Sequence, residues 1–185
     1  MKRKSNKKAW EALKQPMSDY LIQAGWFETA KYDNGTPIGG IAAVQNYGAT
    51  INQNITEKQR KFLMLLGIFL KKTTTTLHIV IPPTHFMENC QNKNKEKWKE
   101  LIKKAWAAVF LGKIEPDKAM EKVGGVIERD LLREITDGNY PPDKPLTVKA
   151  KLLKYKDQKT EGDLNKRLSG RAIMTNALSH KVEKI

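Results

Sequence analysis

Residues 94–112, NKEKWKELIKKAWAAVFLG, form the clearest helical pattern in the chain. Apolar side chains recur there at three- and four-residue spacing, which places them on one face of a helix that we expect over 94–111. The members of this stripe are Trp98, Leu101, Ile102, Ala105, Trp106, Val109 and Phe110. Charged residues, including the favourable i,i+4 pair Glu100 and Lys104, cover the rest of the helix. Because a core must cover such a stripe, this stretch predicts a fold built on long amphipathic helices.

A second long helix is predicted over residues 116–136. Pro116 is favourable at the first helical position, and apolar residues follow at helical spacing as far as Ile135. Gly124 and Gly125 lie in the middle of this pattern, and each costs about 1 kcal/mol relative to Ala in a helix. That cost indicates a close helix crossing or a kink at the glycine pair.

Shorter segments complete the fold prediction. β-branched and aromatic residues favour strands near 26–32, 74–81 and 177–183, and a short helix closing at Gly48 is expected between the first two. The sequence therefore predicts an α+β fold, with a small, mainly antiparallel sheet packed by the two long helices.

The N-terminal segment has a helical pattern of its own. Apolar residues recur at helical spacing through Ala24, several lysines lie off that stripe, and Gly25 is a plausible C-cap. We therefore expect a basic N-terminal helical arm over residues 1–25, followed by a single domain over residues 26–185.

The chain is strongly basic. Its 185 residues include 34 Lys and Arg against 20 Asp and Glu, which gives a formal net charge of +14. Such a surplus indicates an anionic neighbour, which is nucleic acid, an acidic protein face or an anionic membrane surface. Base-reading motifs such as zinc fingers and RNP boxes are missing, so we expect any DNA contact to be independent of sequence. The candidate contacts to DNA or an acidic partner are Lys95, Lys99, Lys103, Lys149, Lys151 and Lys154.

The residues that usually carry catalysis or bind metals form no known motif. Cys90 is the single cysteine, which excludes an internal disulfide and favours a reducing compartment. The three histidines, His78, His85 and His180, are widely separated, and none lies at metal-ligand spacing from Cys90 or a carboxylate. A phosphate-binding GxxxxGK[ST] loop is also missing. The sequence therefore predicts no catalytic residue, metal or cofactor, and a protein that is not an enzyme.

The apolar run FLMLLGIFL occupies residues 62–70. Nine residues are too few to cross a bilayer, which requires about 20. Thr56 and Gln59 form a capping box, so we expect a helix from residue 57 to residue 72. A helix that is apolar on every side is either central to a core or covered by a partner. Both a subunit interface and burial under the N-terminal helix of the same chain remain open.

We favour the subunit interface because a chain of 185 residues has little room for a fully enclosed helix. The side of this helix that carries Phe62, Leu66 and Phe69 is expected to pack inward. The candidate interface residues are Met64, Leu65, Ile68, Pro82, Pro83 and Phe86.

Five phrases of this sequence, taken in order, resemble one protein family. The first three are DNGTPIGGIAAVQNYGAT at 33–50, ITEKQRKFLMLLGIFLKKTTTTLHIVIPPTHFM at 55–87 and GKIEPDKAMEKVGGVIERDLLREITDGNYPP at 112–142. The last two are KPLTVKAK at 144–151 and LSGRAIMTNALSHKV at 168–182. The family is that of tail-completion or virion-morphogenesis proteins of tailed bacteriophages, whose members are small tail components at the head–tail junction. Thr84 and His85 stand where that family usually has Arg-Pro, so the role of that arginine is not carried over.

The resemblance covers about residues 26–185 and implies a single α+β tail-component domain, with a short helix over 146–151. It implies a structural virion protein that acts in tail completion and head–tail joining, as part of an oligomeric ring at the neck or the top of the tail. The implied partners are identical subunits, a tail terminator or tail tube protein, and a head connector or head-completion protein. Non-specific contact with packaged DNA is expected, and a membrane is not. The protein would be found in the virion and, during assembly, in the host cytoplasm. A soluble, non-specific nucleic-acid-binding accessory protein is the alternative.

Overall fold

The computed structural model describes residues 19–154 and 173–185. The elements in chain order are β1 (Tyr20–Gly25), α1 (Ile38–Tyr47), β2 (Ala49–Asn54), α2 (Glu57–Leu65), β3 (Thr76–Ile81), α3 (Phe86–Phe110), α4 (Pro116–Asp137), α5 (Pro145–Lys154), α6 (Ile173–Asn176) and β4 (Ser179–Lys184). Long helices accompany small antiparallel sheets, which confirms the predicted α+β class.

The described residues belong to two compact units. The first unit comprises residues 19–30, 86–135 and 177–185, and the second comprises residues 31–85, 136–154 and 173–176. Each unit contains one two-stranded antiparallel sheet, β1–β4 in the first and β2–β3 in the second. The strands therefore form two separate sheets, where the sequence predicted one.

The first unit packs its sheet against the two long helices. Its buried core consists of Trp106, Val109, Ala119, Met120 and Val123, which lie on α3 and α4. Tyr20 and Ile22 of β1 and Val182 of β4 pack against that core. β1 is paired with β4 from Tyr20 opposite Lys184 to Gly25 opposite Ser179. The apolar stripe predicted for the first long helix thus covers the sheet and the second helix together.

The N-terminal end of this unit differs from its prediction. Residues 20–25 form a strand, so the predicted helix is wrong there, and Gly25 ends a strand instead of capping a helix. The predicted strand over 26–32 is also wrong, because those residues form turns and a single bridge between Lys31 and Pro37. Tyr20, Leu21 and Ala24 have the spacing of a helix face, whereas Tyr20, Ile22 and Ala24 alternate as in a strand, and hydrogen bonding to β4 selects the strand. The rest of the predicted arm, residues 1–18, lies outside the described residues.

The glycine pair in α4 contacts a strand side chain, not another helix. Gly124 is buried, and a Cβ atom built on it would overlap Cδ2 of His180 on β4. The same atom built on Gly125 would lie 3.6 Å from Cε1 of the same ring, which is ordinary contact. The cost of placing Gly124 inside a helix is therefore explained by the room that it leaves for the imidazole.

The second unit contains the helix that was predicted to close at Gly48 and the strand predicted near 74–81. The helix is observed as Ile38–Tyr47 and the strand as Thr76–Ile81. β2, which the sequence did not indicate, pairs with β3 from Ala49 opposite Ile81 to Asn54 opposite Thr76. Residues 146–151 lie in a helix, as the family resemblance implies.

Helix α2 is shorter than predicted, because it ends at Leu65 instead of continuing to residue 72. Gly67 adopts a φ angle of 85° and its N–H donates to the carbonyl of Met64, while the N–H of Ile68 donates to the carbonyl of Leu63. These two bonds make a Schellman motif, which satisfies the last carbonyl groups and stops the helix. Within residues 19–154 and 173–185, the structure contains no helix with the length and apolarity that crossing a membrane requires.

We expect Gly124→Ala to destabilise the protein and Gly125→Ala to leave it unchanged or more stable. The added methyl at position 124 has to displace the His180 ring, and overpacking of this kind costs about 1–3 kcal/mol. At position 125 the methyl meets no such obstacle, and Ala is better than Gly in a helix by about 1 kcal/mol. Urea denaturation of the two variants, followed by circular dichroism, gives both free energies of unfolding. Equal effects would contradict the close packing of His180 on Gly124.

Candidate functional site

The end of α2 and the turn that follows it expose several large apolar side chains. One side of α2 is partly buried. Gln59, Arg60 and Leu63 on that side are half-buried, and Leu66, directly after the helix, is 5% exposed. On the opposite side the exposed fractions are 40% for Phe62, 51% for Met64 and 71% for Leu65, and Phe69 in the turn is 78% exposed. We call the exposed face of α2 together with residues 67–74 the α2 surface.

Two basic side chains hold the α2 surface in shape. The guanidinium of Arg60 donates to the carbonyl oxygens of Leu70 (3.4 Å), Lys71 (3.1 Å) and Thr74 (2.7 Å), so it attaches the turn to the helix. Lys149 of α5 donates from Nζ to the carbonyl oxygen of Leu66 at 3.1 Å. A cation at this position also interacts favourably with the negative end of the α2 dipole. Phe69 is therefore displayed by an ordered turn, although its side chain is largely in water.

The N-terminal end of α2 is fixed by its capping box. Thr56 Oγ1 accepts a hydrogen bond from the N–H of Gln59 at 3.2 Å, and the Thr56 N–H donates to Gln59 Oε1 at 2.9 Å. The predicted capping box is thus confirmed, and α2 is held at both ends. A nine-residue helix without buried residues depends on such end contacts for its stability.

The predicted interface residues are not all on this surface. Met64 and Leu65 are exposed on it, as expected, and Ile68 is half-buried just after the Schellman turn. Pro82 and Pro83 are exposed after β3. Phe86 is fully buried and makes an edge contact with Trp26 at 6.1 Å between ring centroids, so its assignment to an interface is wrong.

The inward packing predicted for Phe62 and Phe69 is also wrong, and only Leu66 of that set is buried. The prediction assumed a helix through residue 72, whereas the chain turns at Gly67 and the helical spacing no longer applies beyond it. Gly67 itself was the available signal, because glycine is the usual residue just past a helix end.

Thr84 and His85 have a structural role in the second unit. The Thr84 Oγ1 donates to the carbonyl of Gln45 at 2.7 Å, and the N–H of His85 donates to the carbonyl of Asn46 at 3.0 Å. These bonds satisfy carbonyl groups at the end of α1, which lack helical partners. The two residues that depart from the family pattern therefore anchor the segment after β3.

The lysines predicted on the first long helix are largely neutralised by nearby carboxylates. Lys99 is paired with Glu96 at 2.9 Å, and Lys103 with Glu100 at 2.7 Å. Glu100 thus pairs at i,i+3 with Lys103, where the sequence indicated Lys104. Lys95, the third candidate on this helix, is exposed. None of these contacts tests DNA binding, which stays a prediction for this face.

The predicted lysines of α5 also have partners. Lys149 binds the end of α2 as described, and Lys151 is paired with Asp143 at 2.5 Å. The side chain of Lys154 lies outside the described residues. The two α5 lysines whose side chains are described thus have structural contacts inside the second unit.

Two more lysines of α3 pair with buried carboxylates of α4. Lys93 contacts Glu134 at 2.7 Å and Lys97 contacts Asp130 at 2.6 Å, and both carboxylate side chains are almost fully buried. The indole N–H of Trp98 donates to the second oxygen of Asp130 at 2.8 Å. Because a buried carboxylate is costly unless paired, these contacts fix the register of the two helices.

Among the described residues, the second unit has the larger basic excess. The described residues of the first unit contain 13 Lys and Arg against 12 Asp and Glu, whereas those of the second unit contain 10 against 4. The α2 surface therefore lies in the part of the described chain that has the larger basic excess.

Several titratable side chains of the first unit form contacts between its strands and α4. His180 lies between Glu128, 2.5 Å from its Nδ1, and Glu121, 3.0 Å from its Nε2. Tyr20 donates to Asp117 at 2.5 Å, and burial together with this carboxylate raises the Tyr20 pKa. Burial raises the pKa of the Cys90 thiol to about 11, which keeps it protonated at neutral pH. Among the described residues, no group of three or more His, Cys, Asp or Glu side chains is arranged to hold a metal ion.

Neither a protein-family model, nor a curated protein, nor a solved structure matches this chain.

We expect Lys97→Met to destabilise the protein and Lys99→Met to have almost no effect. Both lysines lie on α3 in ion pairs, but Asp130, the partner of Lys97, is buried, whereas Glu96, the partner of Lys99, is exposed. Leaving a buried carboxylate short of a partner costs about 1–3 kcal/mol, and surface pairs contribute little. Thermal unfolding of both variants is the measurement. A loss of stability in Lys99→Met alone would contradict this assignment.

We also expect the contribution of His180 to stability to fall as the pH rises. The hydrogen bond to Glu128 is the main reason that the His180 pKa is raised above its ordinary value of 6.5, and Glu121 adds to the effect. A raised folded-state pKa means that the stabilisation is complete below pH 6.5 and is lost as the pH passes the folded-state pKa. The loss of unfolding free energy in His180→Gln should therefore be larger at about pH 6 than at about pH 9. A pH-independent difference would show that the charged ring is unimportant.

Proposed function

We propose that this chain is a structural virion protein of a tailed bacteriophage. It acts in tail completion and head–tail joining, as one subunit of an oligomeric ring at the neck or the top of the tail. The observation that carries the proposal is the α2 surface, where an ordered helix end and turn expose four large apolar side chains, Phe62, Met64, Leu65 and Phe69. The sequence phrases around this surface, from residue 55 to residue 87, belong to the family resemblance.

An assembly component is favoured by the form of this surface. Full burial of a Leu, Met or Phe side chain is worth about 1.5–3 kcal/mol, so leaving four of them in water is unfavourable unless a neighbour covers them. Arg60 and Lys149 hold the surface in an ordered geometry, which limits the entropy lost when a partner binds. Large apolar side chains exposed together on one short element are typical of an interaction site.

The proposed neighbours follow from a position at the head–tail junction. They are identical subunits in the ring, a tail terminator or tail tube protein on one side, and a head connector or head-completion protein on the other. The protein would be present in the virion neck or tail, after passing through the host cytoplasm during assembly. Pro82 and Pro83, exposed after β3, stay candidates for the contacts between identical subunits.

The proposal is tested by complementation of a phage whose copy of this gene carries an early stop codon. We expect that phage to produce heads and tails that do not join, and the wild-type protein supplied in trans to restore infectious particles and to be recovered in them. Leu65→Asp should fold normally but fail to restore joining, because a charge at the centre of an apolar contact is strongly unfavourable.

Leu111→Asp is the matched control, since Leu111 is 62% exposed in the first unit, away from the α2 surface in sequence. It should restore infectivity as well as the wild type does. Absence of the wild-type protein from purified particles would reject the proposal. Unfolding of Leu65→Asp, detected by circular dichroism, would mean that Leu65 is needed for the fold and that its exposure does not mark an interface.

A nucleic-acid-binding accessory protein is the second candidate, and the excess of 10 basic over 4 acidic residues in the described part of the second unit favours it. In that case the protein should bind mixed-sequence duplex DNA, with an affinity that falls steeply as salt is added. It should also be absent from purified particles. Salt-independent binding, or no binding, would exclude this candidate.

A further inference from the structure

The exposed face of α2 is basic as well as apolar. Lys58 and Lys61 precede Phe62 and Leu65 at helical spacings of three and four residues, so all four side chains share one face, and all are exposed. The lysines occupy the first two turns and the apolar side chains the last. The face therefore presents positive charge beside apolar surface along a single short helix.

The turn after α2 repeats this combination. Phe69 is followed by Lys71 and Lys72, both exposed, and the backbone carbonyl of Lys71 is held 3.1 Å from the guanidinium of Arg60. Four lysines thus border the apolar side chains of the α2 surface, and Glu57 is the single carboxylate on the helix. Since Arg60 already binds three carbonyl groups of the turn, the outward charge comes from lysines.

The α5 helix extends the surface. Lys149 contacts the end of α2, and Leu146 and Leu153 flank Lys149 at spacings of three and four residues. Their exposed fractions are 40% and 43%, so α5, which contacts the end of α2 through Lys149, also exposes apolar side chains.

A second copy of this chain is a poor match for the α2 surface. The surface would meet like charge if it were paired with itself, and repulsion between close like charges is unfavourable. The described residues of the first unit, with 13 basic and 12 acidic side chains, offer no acidic excess either. The complementary surface is therefore expected on a different molecule, with apolar side chains and carboxylates.

The side chains also distinguish among anionic partners. Phe62 and Phe69 offer rings on which bases could stack, but Met64 and Leu65 are aliphatic and Arg60 is already bound to the turn, so the surface is only partly suited to single-stranded nucleic acid. Methionine and aromatic side chains surrounded by charges are typical of protein interfaces, in which lysines stay at the rim. We propose that the α2 surface binds an acidic protein segment with one apolar face, such as an amphipathic helix rich in Glu and Asp. The proposal builds on the assembly function above and names the kind of neighbour that covers this surface.

The test uses the full chain and fluorescent peptides of about 20 residues, a length that allows a stable helix. The first peptide is an amphipathic helix of Leu and Glu, the second replaces every Glu with Lys, and the third has the composition of the first with a shuffled order. Anisotropy titrations should show binding of the first peptide only. Leu65→Asp should weaken that binding about a hundredfold, as expected for a residue at the centre of an interface.

Charge reversal provides the second measurement. Lys61→Glu should slow association of the acidic peptide about tenfold at low salt, because rim charges act mainly on the association rate. Lys31→Glu makes the same change of net charge on the same unit, outside the α2 surface, and should have little effect. Equal effects of the two variants would show that net charge alone attracts the peptide and would overturn the proposal.

Other occupants give different results. Equal binding of the shuffled peptide would overturn the proposed apolar contact. Tighter binding of duplex DNA, or of vesicles containing phosphatidylglycerol, that is lost in Leu65→Asp would assign the surface to nucleic acid or lipid. Failure of the acidic peptide to bind, while the protein is still found in virions, would reject this proposal and leave the assembly function standing. Binding of the acidic peptide by a protein that is absent from virions would support the acidic partner and reject the assembly function.

Discussion

The left-handed backbone at Gly67 is the constraint on which the α2 surface depends. A φ angle of 85° is unfavourable for residues with a Cβ atom, and it allows the chain to leave the helix directly after Leu66. Because the helix ends there, Leu66 is buried while Phe69 is carried into the turn and exposed. A continuous helix through residue 72 would place Phe69 near Leu66 and Phe62 on one face. One glycine thus decides whether the apolar run is core or surface.

Ion pairs between α3, α4 and β4 determine how the first unit packs. Lys93 and Lys97 neutralise two buried carboxylates of α4, and His180 lies between two further carboxylates above Gly124. These are long-range contacts, so the ion pairs hold α3, α4 and β4 in register.

Periodicity was sufficient to predict α4 and the part of α3 from residue 94 onward, because each buries an apolar stripe, but it missed the start of α3 at residues 86–93, where apolar residues are few. It failed for β2, whose sequence ATINQN has no strict apolar alternation, so the strand depends on hydrogen bonds to β3. It also failed for Tyr20–Gly25, where the spacing fits two structures and pairing with β4 selects one. For the candidate site, the exposure of Met64 and Leu65 was predicted from the number of apolar faces. The positions of Phe69 and Phe86 depend on a turn and on tertiary packing, which local spacing does not contain.

Apolar and basic groups on one surface have a consequence for the free subunit. Before assembly, the exposed apolar side chains favour self-association, whereas the surrounding lysines oppose it because two copies would bring like charges together. An acidic partner removes that repulsion and covers the apolar side chains in the same step, so binding is selective for that partner over a second copy. On the proposed function, this arrangement would keep subunits apart until the correct neighbour at the head–tail junction is present. The ring contacts between identical subunits would then use surfaces other than the α2 surface, which gives the two kinds of contact separate determinants.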